Sequence, residues 1–358
     1  MKKFEKVIIF YFSGTGNARM IASWFSKCAL ENKVRCRIFD IASKYALYLK
    51  EIDSESLIVL ISPIHGFNYP KITLNFIRSF PKGTNQVVLM NTRAGIKISN
   101  MITPGLTGIA FILSSHILKR KGYNIIGQIP FDMPSNWLSI HPALRKDSIR
   151  FIFEKNCNRV KSHFEKLYSG KKDFASDKDM IQDLLISPIA LAYYVVGRYF
   201  FAKSYYASNK CNNCNLCIRQ CPAQAIKMIN ARPFWNLECE SCMKCMNNCP
   251  LRAIETTHGL WLVIIILTST ICTFLFQNLL PNVYWIIKFL ISNIILFILL
   301  LILYRVQHWI LRNKLIAKII SLTSLTHYKC WGRYKQIKII QHSKVLFNNN
   351  KQNSNAYE

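Results

Sequence analysis

Acidic side chains are scarce in this sequence. It has 18 Asp and Glu residues against 47 Lys and Arg residues, which gives a formal net charge of +29 over 358 residues. A positive excess of this size favours anionic partners, namely nucleic acid, anionic lipid or acidic protein. The sequence also lacks a zinc finger, an RNA-binding signature and any repeat of interleaved aromatic and basic residues. We therefore predict that nucleic acid is not the partner.

Signatures of hydrolytic enzymes are missing as well. The sequence shows no catalytic triad pattern, no HExxH motif and no paired acid and base. It does not open with a cleavable signal peptide, which favours a reducing compartment over secretion. Five isolated cysteines are therefore expected to be reduced and inert thiols. They are Cys28, Cys36, Cys157, Cys272 and Cys330.

The other eight cysteines form two copies of one motif, C-x2-C-x2-C-x3-C-P. The first copy ends at Pro222 and the second at Pro250. Two-residue gaps let a tight loop wrap three thiolates around one small inorganic core, which predicts two iron–sulfur clusters. Zinc is more commonly held by two separated ligand pairs, and disulfides suit secreted domains, so we favour neither alternative. The cysteines are Cys211, Cys214, Cys217 and Cys221, then Cys239, Cys242, Cys245 and Cys249.

This doubled motif resembles the bacterial ferredoxin domain, which holds two [4Fe–4S] clusters. The likeness covers residues 208–257. In that domain the cysteine before each proline ligates the cluster of the other half. The resemblance therefore implies two crossed ligand sets. They are Cys211, Cys214, Cys217 and Cys249 for one cluster, and Cys239, Cys242, Cys245 and Cys221 for the other.

The N-terminal stretch has the pattern of a strand, a turn and a helix. Residues 6–12 form an apolar run typical of a buried parallel strand, and residues 19–30 show helical spacing of apolar side chains. Backbone amides and hydroxyls at a helix N-terminus bind phosphate, so the turn between them is a candidate phosphate site. It lacks the lysine of a nucleoside-triphosphate loop and the third glycine of a dinucleotide-binding turn. The turn consists of Ser13, Gly14, Thr15, Gly16, Asn17 and Ala18.

Strands and helices alternate in the rest of this half. Alternation predicts an α/β fold with a doubly wound parallel sheet, whose ligands bind beyond the carboxyl ends of the strands. Further strands are predicted at residues 34–40, 57–62, 86–91 and 123–131, and helices at 71–79, 103–122 and 143–168.

These elements together resemble a flavodoxin, in which three loops at that edge hold FMN. The resemblance implies the strand order 2-1-3-4-5 and adds the loops at 62–69 and 91–95 to the first turn. Two positions depart from the family: Ala18 stands where threonine is common, and the third loop has no aromatic residue to stack on the ring. Arg93 would instead place a positive charge near the reduced flavin. The implied FMN residues are Ser13, Gly14, Thr15, Gly16, Asn17, Ala18, Pro63, His65, Gly66, Asn91, Thr92 and Gly95, of which His65 is expected to be exposed.

A polar linker at residues 170–182 precedes an apolar stretch at 184–202. Pro188 and Arg198 interrupt this stretch. We predict a helix docked between the two redox units, with a transmembrane helix as the alternative.

Two longer apolar stretches follow the cysteines. Residues 259–276 carry no charge, and residues 285–304 carry only Lys288 near one end. Each is close to the ~20 residues that span a bilayer core. No other segment is left to cover a buried core hairpin, so we predict a transmembrane helical hairpin.

The tail at residues 305–351 is basic and contains no acid. The positive-inside rule then places this tail and both redox units on the cytoplasmic side of the membrane. We expect the tail, with Tyr328, Trp331 and Tyr334, to lie on anionic lipid or in solvent, and residues 348–358 to be solvated and partly disordered. A cut after Thr257 is expected to release a soluble fragment with both cofactors.

A flavodoxin-like domain followed by a two-cluster ferredoxin domain resembles the EFR-type ferrodoxin family of bacterial fusions. The stretches FSGTGN at 12–17 and MPSNW at 133–137 share this likeness, which covers residues 6–257. The resemblance implies a redox role without naming a substrate. The predicted units are 1–169 (flavodoxin-like), 170–207 (linker and docking helix), 208–257 (ferredoxin), 258–305 (two transmembrane helices) and 306–358 (basic tail).

The leading prediction is a membrane-tethered electron carrier. It would pass electrons between FMN and two [4Fe–4S] clusters, and on to a redox partner protein or a membrane quinone. One alternative is an FMN-dependent reductase of a small substrate such as a quinone. The other is a non-catalytic redox sensor whose clusters are structural.

Overall fold

The computed structural model describes residues 4–43, 52–53 and 55–334. Apolar runs in the N-terminal half form strands because both faces of a parallel sheet are covered by helices. In chain order the elements of this half are β1 (Lys6–Tyr11), α1 (Asn17–Glu31), β2 (Arg35–Asp40), β3 (Leu57–Pro63), α2 (Lys71–Ser79), β4 (Gln86–Gly95), β5 (Lys97–Ile98), β6 (Met101–Ile102), α3 (Ala110–Arg120), β7 (Asn124–Pro134) and α4 (Lys146–Tyr168).

The main sheet has the order β2-β1-β3-β4-β7. All four neighbouring pairs are parallel. This confirms the predicted flavodoxin-like sheet, with the order 2-1-3-4-5 when its five strands are counted along the chain. Strands β4 and β7 run past their predicted ends because they stay paired as far as Gly95 and Pro134.

Helices pack on both faces of this sheet. Phe25 of α1 and Phe164 of α4 lie in one buried cluster, and Leu74 of α2 and Leu118 of α3 lie in the other. Helix α3 begins later than predicted, after a loop that contains Pro104 and two glycines. The carboxyl edge of the sheet is left uncovered by these helices and is free to form a site.

A bent apolar segment leads from the sheet to the cysteine-rich region. Asp183 accepts hydrogen bonds from the amides of Thr107 and Gly108, and Lys203 donates to the carbonyl of Trp235. The segment therefore contacts both units. It comprises α5 (Met180–Leu185), α6 (Ser187–Ala192), a π-helical turn (Tyr193–Gly197) and α7 (Arg198–Ala202), with a bend of 62° between α5 and α6.

The cysteine-rich region consists of two matched halves. Strands β8 and β11 pair antiparallel, as do β9 and β10, and each short helix carries the third cysteine of its motif. Corresponding residues of the two halves share a left-handed backbone, in the pairs Asn213 and Ser241, Asn215 and Met243, and Gln224 and Arg252. This is the small α+β ferredoxin unit predicted from the doubled motif. Its elements are β8 (Tyr205–Ala207), α8 (Leu216–Arg219), β9 (Ile226–Ile229), β10 (Arg232–Trp235), α9 (Lys244–Asn248) and β11 (Ile254–Thr256).

Two long apolar helices follow directly. Helix α10 (His258–Phe274) continues through a π-helical turn to Leu279, and α11 spans Trp285–Ile310. Their mean hydropathies are 2.3 and 2.9, and in the described part of the chain they are the two unbent helices long and apolar enough to cross a membrane. Only 11% and 6% of their most apolar stretches are buried. A core hairpin would bury these faces, so the exposed apolar surface argues against that alternative.

The chain after α11 packs back onto the ferredoxin unit. Helix α12 (Lys314–Leu322) brings Ser321 next to the hydroxyl of Tyr206, and His327 lies 3.0 Å from the buried carboxylate of Glu255. The predicted boundary between residues 305 and 306 falls inside α11. A cut after Thr257 would remove this cover, so we no longer expect the resulting fragment to keep its fold.

Two aromatic residues of this stretch contact protein, whereas the prediction placed them on lipid or in solvent. Trp331 donates to the carbonyl of Leu138 at 2.7 Å, and Tyr334 is only 2% exposed within the core under the sheet. Tyr328 is 44% exposed. The hydrogen bond of Trp331 and the burial of Tyr334 therefore make residues 311–334 part of the folded unit. Residues 335–358, including the predicted disordered end, lie outside the described residues.

Candidate functional site

A cleft opens at the carboxyl edge of the sheet. It contains about 680 Å³ of space, counted out to its open mouth and including open solvent. Gly16, Gly66, Asn91 and Gly95 do not line it. The predicted FMN residues that do line it are Ser13, Gly14, Thr15, Asn17, Ala18, Pro63, His65 and Thr92.

The first loop forms a phosphate cradle at the start of α1. Gly16 has φ of +110°, a conformation that glycine adopts far more easily than other residues. Its amide donates to the hydroxyl of Ser13 at 3.0 Å, and Asn136 donates to the hydroxyl of Thr15. Amides and hydroxyls next to a helix N-terminus are suited to a phosphate group. The helix end and this loop therefore fit the phosphate of FMN.

His65 in the second loop is more enclosed than the exposed position predicted for it. Its Nδ1 is buried and has no hydrogen-bond partner among the described residues. Burial lowers the pKa of His65 to about 4, and the nearby carbonyl of Glu240 offsets this only in part. At neutral pH the ring is uncharged, so it offers a ligand in the cleft a hydrogen bond without a positive charge.

Arg93 in the third loop does not act as a free cation. It is 3% exposed, and its guanidinium lies 2.6 Å from both Asp132 and Asp179. Two carboxylates at this distance compensate its charge. The predicted positive charge beside the reduced flavin is therefore wrong for Arg93, although the residue does line the cleft.

Asn91 and Gly95, also predicted FMN residues, hold the third loop from behind. Asn91 is fully buried and donates to the hydroxyl of Thr107 at 3.2 Å. Gly95 packs against the backbone of Asp132. Both positions shape the loop and do not face the cleft.

Two aromatic residues that the sequence did not assign also line the cleft. Trp137 and Tyr193 meet edge to face with ring centroids 6.2 Å apart. The ring of Tyr193 covers Gly66, since a Cβ on Gly66 would lie 2.0 Å from it. Trp137 and Tyr193 thus supply the aromatic surface that the third loop lacks. The MPSNW stretch pointed to Trp137, whereas nothing in the local sequence marks Tyr193.

Two further cavities hold the cluster cysteines. We name them cavity I and cavity II. Cavity I is lined by Cys211, Cys214, Cys217, Cys245 and Cys249. Cavity II is lined by Cys221, Cys239, Cys242 and Cys245. Each cysteine that precedes a proline thus lies with the three cysteines of the other motif, which is the arrangement that the ferredoxin resemblance implies.

The chemistry of both cavities fits an iron–sulfur cluster. Ala225 donates its amide to the sulfur of Cys221, and Ala253 donates to Cys249, each at 3.3 Å. Such bonds stabilise thiolates and tune cluster potentials. Burial raises the pKa of the Cys242 thiol to about 12, so its deprotonation requires a compensating metal charge.

The donors are not arranged around a single ion. Among the described residues, no three His, Cys, Asp or Glu side chains converge as a mononuclear site would require. Zinc needs ligands about 2.0–2.3 Å from one centre, whereas a cubane cluster holds its thiolates further apart.

The cleft adjoins cavity II, and cavity II adjoins cavity I. Cys242 lines both the cleft and cavity II, and Cys245 lines both cavity II and cavity I. A Cβ on Gly14 in the phosphate loop would lie 2.5 Å from the carbonyl oxygen of Cys242. Only glycine permits the two loops to approach this closely. This contact could not be predicted from the sequence, because the two loops are far apart along the chain.

Charged contacts hold the sheet unit and the ferredoxin unit in this arrangement. The carboxylate of Glu240 accepts hydrogen bonds from the amides of Lys71 and Ile72 at the N-terminus of α2. A negative charge is stabilised at that end of a helix. The side chain of Lys71 also pairs with Glu238 at 2.8 Å. The ferredoxin unit is thereby held at the carboxyl edge of the sheet.

Comparison with known proteins directly supports the prediction of iron–sulfur clusters in the cysteine-rich region. Residues 210–254 match a family model described as "4Fe-4S dicluster domain". Curated protein sequences give no match. The chain therefore contains a 4Fe–4S dicluster domain.

Solved structures align with the N-terminal half at low identity. Oxidised flavodoxin 1 from Bacillus cereus shares 16% identity over 45% of this chain and 97% of that chain, with a TM-score of 0.30. Fusobacterium nucleatum flavodoxin bound to flavin mononucleotide shares 12% over 45% and 97%, with a TM-score of 0.29. Rubredoxin oxygen:oxidoreductase from Desulfovibrio gigas shares 12% over 46% of this chain, with a TM-score of 0.31, and the match spans 37% of that chain. The strand order of the sheet itself shows the flavodoxin-like fold.

Proposed function

We propose that this chain is a membrane-tethered electron-transfer protein of the EFR-type flavodoxin–ferredoxin fusions. One observation carries the proposal: the cleft, cavity II and cavity I share walls through Cys242 and Cys245. Cofactors in three such sites would form a continuous path for electrons. FMN exchanges one or two electrons and each cluster exchanges one, so together they can split or join electron pairs.

The residues of the cleft would hold FMN at both ends. Ser13, Thr15 and the amides at the start of α1 would donate to its phosphate. Trp137 and Tyr193 would provide apolar contact for the ring, and neutral His65 a hydrogen bond. The two crossed cysteine sets would ligate the two clusters.

Cavity I offers the exit toward a partner. Cys214 is exposed, whereas Cys239 and Cys242 are partly covered. The cluster bound by Cys214 would therefore be the one that a redox partner protein or a membrane quinone approaches.

The apolar hairpin would tether the redox units to the cytoplasmic face of the membrane. Both of its ends contact the ferredoxin unit: Trp261 donates to the hydroxyl of Ser204 at 3.2 Å, and Tyr304 donates to the carbonyl of Tyr205 at 2.9 Å. Both ends therefore lie on the same side. Basic residues after α11, such as Arg312 and Lys314, favour the cytoplasmic side.

Anaerobic purification in detergent tests the cofactors. We expect about eight iron, about eight acid-labile sulfide and about one FMN per chain. Zinc in place of iron and sulfide, or a folded protein that retains no FMN on reconstitution, would contradict the proposal. Steady oxidation of the reduced flavin by a soluble quinone would favour the reductase alternative.

A further inference from the structure

The bent segment from Met180 to Ala202 carries apolar side chains on the outer face of its first part, up to Val195. Between Asp183 and Arg198 the sequence has no charged residue. A contiguous apolar surface marks an interaction site. Seven large side chains of this segment are 54% to 76% exposed: Met180, Ile181, Leu184, Leu185, Ile189, Leu191 and Val195.

Asp183 of this segment and Asp179 of the turn before it point inward. Asp183 is 5% exposed and accepts from the amides of Thr107 and Gly108, at 3.2 and 2.8 Å. Asp179 pairs with buried Arg93. A helix on a water-facing surface has the opposite pattern, with its apolar side toward the core. The inverted pattern suits an apolar surrounding.

The segment lies beside the apolar hairpin. The ring of Tyr199 is 5.9 Å from that of Phe297 in the middle of α11. Phe297 is about 10 Å along the helix axis from Tyr304, which marks the end that contacts the ferredoxin unit. Trp261 of α10 packs on Phe200 at 5.5 Å. The C-terminal part of the segment is therefore level with the apolar stretch of the hairpin and not only with its polar end.

Both ends of the segment are held on one side. Asp183 fixes the first end to the sheet unit, while Lys203 and the carbonyl of Ser204 fix the other end to the ferredoxin unit. The chain also bends by 62° between α5 and α6, just before Pro188. Because both ends are held on the same side, a segment that enters the membrane must return to that side without crossing the bilayer.

The charge of Arg198 is compatible with a place at the membrane surface. Its guanidinium lies 5.0 Å from the ring of Tyr194 and 4.3 Å from that of Tyr199. Cation–π contacts of this kind stabilise a partly desolvated arginine.

We propose that residues 180–195 are embedded in the membrane interface, with lipid acyl chains covering their outer face. This inference rests on the proposed membrane hairpin, which supplies the bilayer beside it. Interfacial helices of this type insert about 5–10 Å into the headgroup and acyl boundary. Because Tyr193 belongs to the segment and also lines the cleft, the proposed flavin site lies next to the bilayer surface.

Photo-crosslinking in the full-length, cofactor-loaded protein tests this proposal. A benzophenone amino acid is placed at Leu185, and in a second variant at Ile181, after reconstitution into phosphatidylcholine–phosphatidylglycerol vesicles. Ile294 of α11 serves as the membrane control and exposed Glu154 of α4 as the aqueous control. We expect lipid adducts at Leu185 and Ile181 within about twofold of Ile294, and at least about fivefold above Glu154.

The outcomes separate this inference from the hairpin proposal. Adducts at Ile294, with both test positions no higher than Glu154, would overturn the interfacial segment and leave the hairpin intact. Crosslinks between two copies of the chain at Leu185 would overturn it in favour of self-association. An absence of adducts at Ile294 as well would overturn both proposals.

Discussion

Replacing Cys249 with alanine is expected to remove the cluster of cavity I and leave electron exchange between the flavin and the cluster of cavity II. Cys249 belongs to the second motif but lines only the cavity of the first. The matched variant Cys221→Ala is expected to remove the cluster of cavity II, because Cys221 lines that cavity. In that variant the flavin loses its neighbouring cluster, so the remaining cluster should no longer be reduced rapidly through it.

The two variants control for each other. Each removes one cysteine before a proline and leaves seven motif cysteines, so general damage to the fold should be similar. Each should retain about four iron atoms per chain. Stopped-flow reduction of the flavin, followed by EPR spectra of the surviving cluster, distinguishes them. If each motif held its own cluster, the roles would be exchanged and the rapidly reduced cluster would survive in Cys221→Ala.

Replacing Tyr334 with alanine is expected to destabilise the protein by about 3–5 kcal/mol, as for other buried aromatic residues. Tyr334 packs in the core beneath the sheet, and its hydroxyl lies 2.5 Å from the side-chain oxygen of Asn17. Asn17 lines the cleft, so we also expect weaker FMN binding. Thermal unfolding and FMN titration of the detergent-solubilised protein measure the two effects.

Two further variants identify which contact of Tyr334 causes the loss of stability. Tyr334→Phe keeps the ring and removes only the hydrogen bond, for which we expect a cost of about 1–2 kcal/mol. Tyr328→Ala, at a 44% exposed position of the same stretch, should change stability by less than about 1 kcal/mol. Equal stability of Tyr334→Ala and the unmodified protein would show that residues 311–334 do not belong to the folded unit.

The sheet and the cysteine sites could be predicted because their signals are local. Each strand is a short apolar run, and α2 was predicted with its observed bounds because one face of Lys71–Ser79 is apolar. The crossed cysteine sets followed from a motif whose spacing fixes the loop around the metal.

Three missed features of the site depend on contacts between distant parts of the chain. Arg93 meets Asp179, Gly66 meets Tyr193, and Gly14 meets Cys242, and no spacing within a loop reports such pairs. The sequence therefore located the cleft but not its aromatic wall or the compensated charge of Arg93.

One missed element did have a local signal. Helix α12 starts at an N-cap, Asn313, whose side chain accepts from the amides of Leu315 and Ile316. The residues after this cap repeat apolar side chains at helical spacing, which is typical of a helix packed on protein. The high positive charge of the same stretch is typical of contact with anionic lipid, so the charge and the helical pattern favour different environments.

The relaxation of the flavin radical tests the central claim most directly. In the partly reduced, full-length protein, the EPR signal of the FMN semiquinone should relax rapidly, because the reduced cluster of cavity II lies across a shared wall at Cys242. This rapid relaxation should persist in Cys249→Ala and be lost in Cys221→Ala. A semiquinone that relaxes as slowly with both clusters present as without them would contradict the proposed path.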